Sequence, residues 1–221
     1  MKKIHFFFSM FFLLSFAFVV SVQAQLFRKG SILLKLSEGT THSYYGTAND
    51  NIPNGHIYSE HMKGVRDPIA LEYGITNHWG LGLSSGTDLF NINPNLFYKT
   101  GELPVSLQAQ TSEFTLDLSY HFFVTQKNDL SLTGSFGSSS VSISGENDGN
   151  KYQYTANGNI VRFGVHEYYY FYKRLGALAM LSTYSSNYAP QNVQGNTFGN
   201  TCSTAIKGYA LEFGFCFRIR H

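Results

Sequence analysis

The sequence predicts an all-β fold, an eight-stranded antiparallel up-and-down transmembrane β-barrel. Three observations lead to it. The chain opens with an export segment. Its C-terminal stretch alternates strictly between large apolar and small or charged residues. Its composition is 16% aromatic but only 14% charged, whereas a soluble domain carries about 25% charged residues. Past the export segment no run of 18 or more apolar residues follows, so a membrane contact has to be made by strands.

Residues 1–24 read as a secretory signal peptide. Lys2 and Lys3 supply the positive start, an apolar stretch runs from Phe6 to Val20, and Val22-Gln23-Ala24 places small residues at −3 and −1 of a cleavage point. The expected mature domain is 25–221, located in a bacterial outer membrane after Sec-type export. Removing Lys2 and Lys3 from the 16 basic residues leaves 14 against 14 acidic ones. A formal charge near zero argues against a nucleic-acid partner, which would need a basic face.

The terminal strand carries the clearest pattern. Tyr209, Leu211, Phe213, Phe215, Phe217 and Ile219 alternate with Ala210, Glu212, Gly214, Cys216, Arg218 and Arg220. Period 2 puts the first set on one face of a strand, where a helix would scatter it. An aromatic face opposite a charged one fits lipid outside and a polar lumen inside. The same alternation recurs at Ile32–Leu36, Ile69–Ile75, Trp79–Leu83, Phe114–Phe122, Leu130–Phe136 and Val161–Val165. The segment 175–184 is apolar on both parities, which leaves its facing open. The total is eight strands, an even number as closed outer-membrane barrels have.

Connections alternate in length. Short ones fall at 76–78, 124–129 and 172–174, and long ones at 46–66, 87–111, 138–159 and 185–203. Long loops outside and short periplasmic turns place both termini on the periplasmic side. Trp79, Phe122, Phe123, Tyr170, Phe171 and Tyr172 cluster at the short turns, where a periplasmic aromatic girdle belongs. Glu167 shares parity with Val161, Phe163 and Val165, so it either faces lipid near the headgroups or follows a phase-reversing bulge.

The stretches 209–221, 74–82 and 162–170, the last leading into Lys173-Arg174, together resemble the small eight-stranded outer-membrane barrels of the OmpX/OmpA type. The resemblance covers nearly all of 27–221. It implies a plugged interior, and assembly by the barrel-assembly machinery. Members usually end in Phe or Tyr, where this chain has His221.

Lys35, Glu72, Asp117, Arg162, Glu212 and Arg218 are the expected inward charges, three of each sign. An eight-stranded lumen is just wide enough for side chains to fill, so these read as a lumenal polar plug, with Glu212 pairing to Arg162 or Lys35. The eight His show no ligand spacing, and neither metal nor cofactor is expected. Cys202 and Cys216 read as unpaired, about 45 Å apart if one strand runs between them.

A lipid A deacylase of this architecture would carry His-x-Ser-Asn. Here Tyr184-Ser185-Ser186-Asn187 has Tyr at the place of the base, so no enzyme activity is expected. The loop aromatics Tyr44, Tyr45, Tyr58, Phe90, Phe97, Tyr98, Tyr152, Tyr154, Tyr188 and Phe198 suit either an extracellular protein or glycan ligand, or plain extension of the barrel above the membrane. The expected role is structural or binding, through the long loops, with outer-membrane lipid as the constant partner. The alternatives are a lipid A-modifying enzyme or an accessory subunit of an envelope or secretion complex.

Overall fold

The computed structural model describes residues 27–49, 58–92, 106–147, 150–194 and 202–220. The signal stretch, and with it Phe97, Tyr98, Phe198 and His221, lies outside them. Eight strands run in chain order: β1 Ile32–Asn49, β2 Tyr58–Gly74, β3 Trp79–Ile92, β4 Ser106–Val124, β5 Asn128–Asn147, β6 Asn150–Tyr170, β7 Leu175–Gln194 and β8 Cys202–Arg220. Each pairs antiparallel with its neighbours, and β8 closes on β1, so the sheet has no free edge.

Following partners once around the barrel gives the stagger. Ile32 pairs with Tyr73, and the row climbs through Leu81, Leu118, Gly134, Phe163, Thr183 and Tyr209 to His42. The return to β1 is at 42 instead of 32, a shear of ten residues. Such a shear goes with strands tilted by roughly 35–45°.

Three tight periplasmic turns connect the hairpins. In the first, Thr76 Oγ1 accepts from the backbone N–H of His78 and Trp79 at 3.1 and 2.9 Å. In the second, Thr125 Oγ1 accepts from Lys127 and Asn128 at 3.3 and 2.9 Å. A hydroxyl that satisfies the turn's own donors fixes its geometry without help from the rest of the fold.

The four long connections are mostly strand. β5 and β6 stay paired up to Asn147 and Asn150, so the expected loop 138–159 is a hairpin. Strand also extends into the other three, over 46–49, 58–66, 87–92, 106–111, 185–194 and 202–203. Cys202 opens β8 and does not lie in a loop. Strands of 14 to 21 residues exceed the roughly 9–11 that a bilayer needs. About half of each strand therefore stands above the hydrocarbon.

Side-chain polarity inverts at that level. Toward the periplasm the outward residues are apolar, as with Leu71, Leu83, Leu116, Phe136, Phe163 and Phe213, all exposed. Higher up, the outward positions become Asn91, Gln108, Gln110, Ser140, Asn157 and Asn187. The inward positions at that height are largely apolar, with Ser43 and Ser139 hydrogen-bonded to Tyr184 and Tyr188 among them. Tyr45, Met62, Phe90, Ala109, Val141, Ile143, Ala156, Ile160, Tyr184, Tyr188 and Ile206 form one buried cluster. The lower barrel is thus built for lipid, and the upper barrel is built like a water-soluble one. Of the two readings of the loop aromatics, Tyr45, Phe90 and Tyr188 fit extension of the barrel and not a ligand surface, since their side chains fill the interior.

Two open points of facing are settled by register. On β7, Leu178, Met180, Ser182, Tyr184, Ser186 and Tyr188 point inward. β6 pairs without a shift from Ala156 to Tyr170, so no bulge intervenes and Glu167 faces outward beside Leu130 and Ala179 near the periplasmic end.

Candidate functional site

The lumen is layered, and each layer is fixed by strand parity. Nearest the periplasm lies an aromatic floor of Tyr168, Tyr170, Leu178 and Cys216. The N-terminal segment closes it from below. Gly30 takes φ +85°, and its N–H donates to the Gly74 carbonyl at 2.8 Å, while the Gly74 N–H donates to Ser31. This hook carries Phe27 into the mouth, where it is 1% exposed and stacks on the His121 ring at 3.6 Å between centroids.

Above the floor is a first ionic group. Lys35 on β1 is paired with Glu72 on β2. His121 on β4 bridges Glu72 and Asp129, with Nε2 and Nδ1 each 2.7 Å from a carboxylate oxygen. Gly80 on β3 makes room for the Glu72 carboxylate, which a Cβ there would strike. Both ring nitrogens of His121 are engaged and Phe27 covers the ring, so the imidazole has no nitrogen to offer a substrate.

A second group sits in mid-barrel. Arg66 on β2 donates from Nη1 to Asp88 on β3 at 3.0 Å and from Nε to Glu212 on β8 at 3.0 Å. Its other terminal nitrogen is paired with Glu113 on β4. Glu113 also accepts from Arg162 on β6 at 2.9 Å, and Arg162 donates to Ser182 at 3.0 Å. Thr111 donates to Asp88 at 3.1 Å. A guanidinium with five donors in a fixed fork can join three carboxylates from three strands at once.

All six sequence-derived lumenal charges are buried inward, at 1% to 8% exposure. Lys35 and Glu72 pair with each other. Glu212 binds Arg66, not Arg162 or Lys35, which corrects the expected pairing. Asp117 accepts from Thr115 and Ser84 hydroxyls at 2.8 and 3.2 Å, and Arg218 lies over the Tyr170 ring at 4.9 Å.

The expected balance of three and three is also corrected. Among the described residues four cations, Lys35, Arg66, Arg162 and Arg218, face six buried carboxylates. Arg66, Asp88, Glu113 and Asp129 were missed; the first two fell inside presumed loops. Each shares the parity of a recognised inward residue on its strand: Arg66 with Glu72, Glu113 with Asp117 and Asp129 with Ser131. That parity was the available signal.

Between the two ionic groups is a small cavity of about 40 Å³ lined by Lys35, Ser37, Arg66, Asp117, Arg162 and Glu212. It has room for a few water molecules and nothing larger. Ser186, the serine of the deacylase-like stretch, is 1% exposed within the upper core. Of the girdle residues, Trp79, Phe122, Phe171 and Tyr172 are exposed and Phe123 is half-buried. Tyr170 is 3% exposed and faces the lumen, a correction that follows from its even position on β6. All six members of the C-terminal signature are exposed on the outer face.

No known family profile matches the sequence, and no curated protein matches it. Solved structures do. The outer membrane protein OprG from Pseudomonas aeruginosa has a TM-score of 0.55 at 10% identity, covering 88% of this chain and 98% of that one. Ail, the attachment invasion locus protein of Yersinia pestis, scores 0.47 at 12% identity over 86% and 99%. The outer membrane protease OmpT from Escherichia coli scores 0.47 at 9% identity over 86% and 97%. With its closed eight-stranded sheet and apolar lower belt, this chain has the fold of the small bacterial outer-membrane β-barrels.

Proposed function

We propose that the protein is a non-conducting outer-membrane scaffold that binds through its extracellular barrel extension. The observation that carries this reading is the polarity inversion of the strands. A barrel needed only to anchor in lipid could end each hairpin at the headgroups. This one continues every strand upward around an apolar core, with Asn, Gln and Ser on the outside. A rigid platform raised into the medium loses little entropy on binding, which favours recognition of a protein or glycan. The packed lumen supports the non-conducting part of the reading, and the burial of Ser186 speaks against lipid A hydrolysis at that residue.

Trimming the platform tests the proposal. Deleting 142–155 and 91–108, and closing each hairpin with Asn-Gly, leaves the lipid-spanning barrel and its ionic groups in place. The trimmed protein should keep the gel mobility shift between unboiled and boiled samples. It should fail to restore whatever phenotype loss of the gene produces. Full restoration would overturn the binding role.

A further inference from the structure

Six outward residues on β2, β1 and β8 form a compact array at the level where hydrocarbon gives way to headgroups. Tyr44 is the cross-strand partner of His61 on one side and Lys207 on the other. His42 is likewise the partner of Lys63 and Tyr209. The rings support one another: His42 stacks on Tyr209 at 5.0 Å, and His61 meets Tyr44 edge-on at 5.4 Å. Lys63 and Lys207 are exposed at opposite corners of this aromatic floor, and none of the six is acidic.

Below the array, Glu38 and Asp67 are also exposed on the outer face, four residues or about 13 Å further down their strands. They lie inside the apolar belt. Val65 stands above Asp67 at 45% exposure, and Phe213, the partner of Glu38, is 60% exposed. Carboxylates facing lipid are costly, and as acceptors they are relieved only by donors.

We infer that this surface binds one phosphorylated, N-acylated glycolipid of the outer leaflet. Its phosphate sits on Lys63 and Lys207, and its amide or hydroxyl groups, on the apolar side of the phosphate, donate to Glu38 and Asp67. The match is one of charge order: cations outermost, acceptors beneath. A glycerophospholipid satisfies only the upper half, because its ester linkages carry no donor. Clustered Lys on aromatic rings is a general way to hold phosphate at a membrane surface.

Native mass spectrometry of the mature chain in detergent tests this, with diphosphorylated lipid A and phosphatidylglycerol as probes. The unaltered protein should retain one lipid A and hold phosphatidylglycerol about tenfold less well, the scale of one or two lost charge-assisted hydrogen bonds. Lys63→Gln with Lys207→Gln should lower lipid A retention about tenfold, while Lys173→Gln at a periplasmic turn leaves it unchanged. Glu38→Leu with Asp67→Leu should erase the preference for lipid A. Dephosphorylated lipid A, which needs no variant, should be retained as poorly as by the double Lys variant. Equal retention by the double Lys variant and the unaltered protein would overturn the inference. So would equal retention of phosphorylated and dephosphorylated lipid A, or recovery of a lipid-free dimer, in which a second copy covers the array.

Discussion

Arg66 donates to carboxylates on β3, β4 and β8 from its own place on β2, so one side chain ties four strands across the lumen. Asp117 is buried to a similar degree but is met only by hydroxyls. The two residues separate charge pairing from burial. Arg66→Met leaves Asp88 and Glu212 without their cation, and a broken buried pair costs roughly 3–5 kcal/mol. Asp117→Asn keeps its hydroxyl partners as an amide and should cost about 1 kcal/mol or less. Urea unfolding of the refolded protein in micelles, followed by Trp79 fluorescence, measures both. Equal losses would mean that the ion pairs contribute nothing beyond filling space.

At the scale of elements, the N-terminal hook precedes the first strand and closes the lower mouth of the barrel. It depends on Gly30 at positive φ and on Phe27 against His121. Phe27→Ala should cost roughly 3 kcal/mol, the usual range for a buried Phe, and Gly30→Ala about 1 kcal/mol, because Cβ disfavours that φ. Both losses are read as a lower temperature for the unboiled-to-boiled mobility change. Phe27→Ala without any shift would show that the hook does not hold in the folded barrel. The strands themselves were legible in the sequence wherever the outward face is uniformly apolar, as at Phe114–Phe122 and on β8. They were not legible above the belt. There the outward face turns to Asn, Gln and Ser, so the alternation persists with its meaning reversed and reads as loop. Arg66 and Asp88 were lost because Asp67 and Thr87 break the apolar outward pattern beside them, and Tyr170 was misplaced because the cluster of aromatics at 168–172 hid its parity. The hook left no sequence signal, since its partners Gly74 and His121 are 44 and 94 positions away from Gly30 and Phe27.

At the scale of the whole molecule, two barrels are joined end to end on the same eight strands. The lower one exposes apolar side chains and buries charge, and the upper one exposes amides and hydroxyls and buries an apolar cluster. Floor, ionic groups and upper core fill the lumen in layers around a cavity of about 40 Å³, so the purified protein should give no steady conductance in a planar bilayer. Stable channels of porin size would refute the closed lumen. The inversion itself is tested most directly by spin labels placed one at a time along β4, β5 and β6 of the protein in lipid bilayers. Power saturation then compares dissolved oxygen with a water-soluble nickel reagent. Labels at 116, 136 and 163 should be relaxed by oxygen, labels at 110, 140 and 157 by nickel, and a label at 141 by neither. Oxygen relaxation at all six outward sites would place the full strand length in lipid, and nickel relaxation at all six would place the barrel in water. Either result would contradict the account.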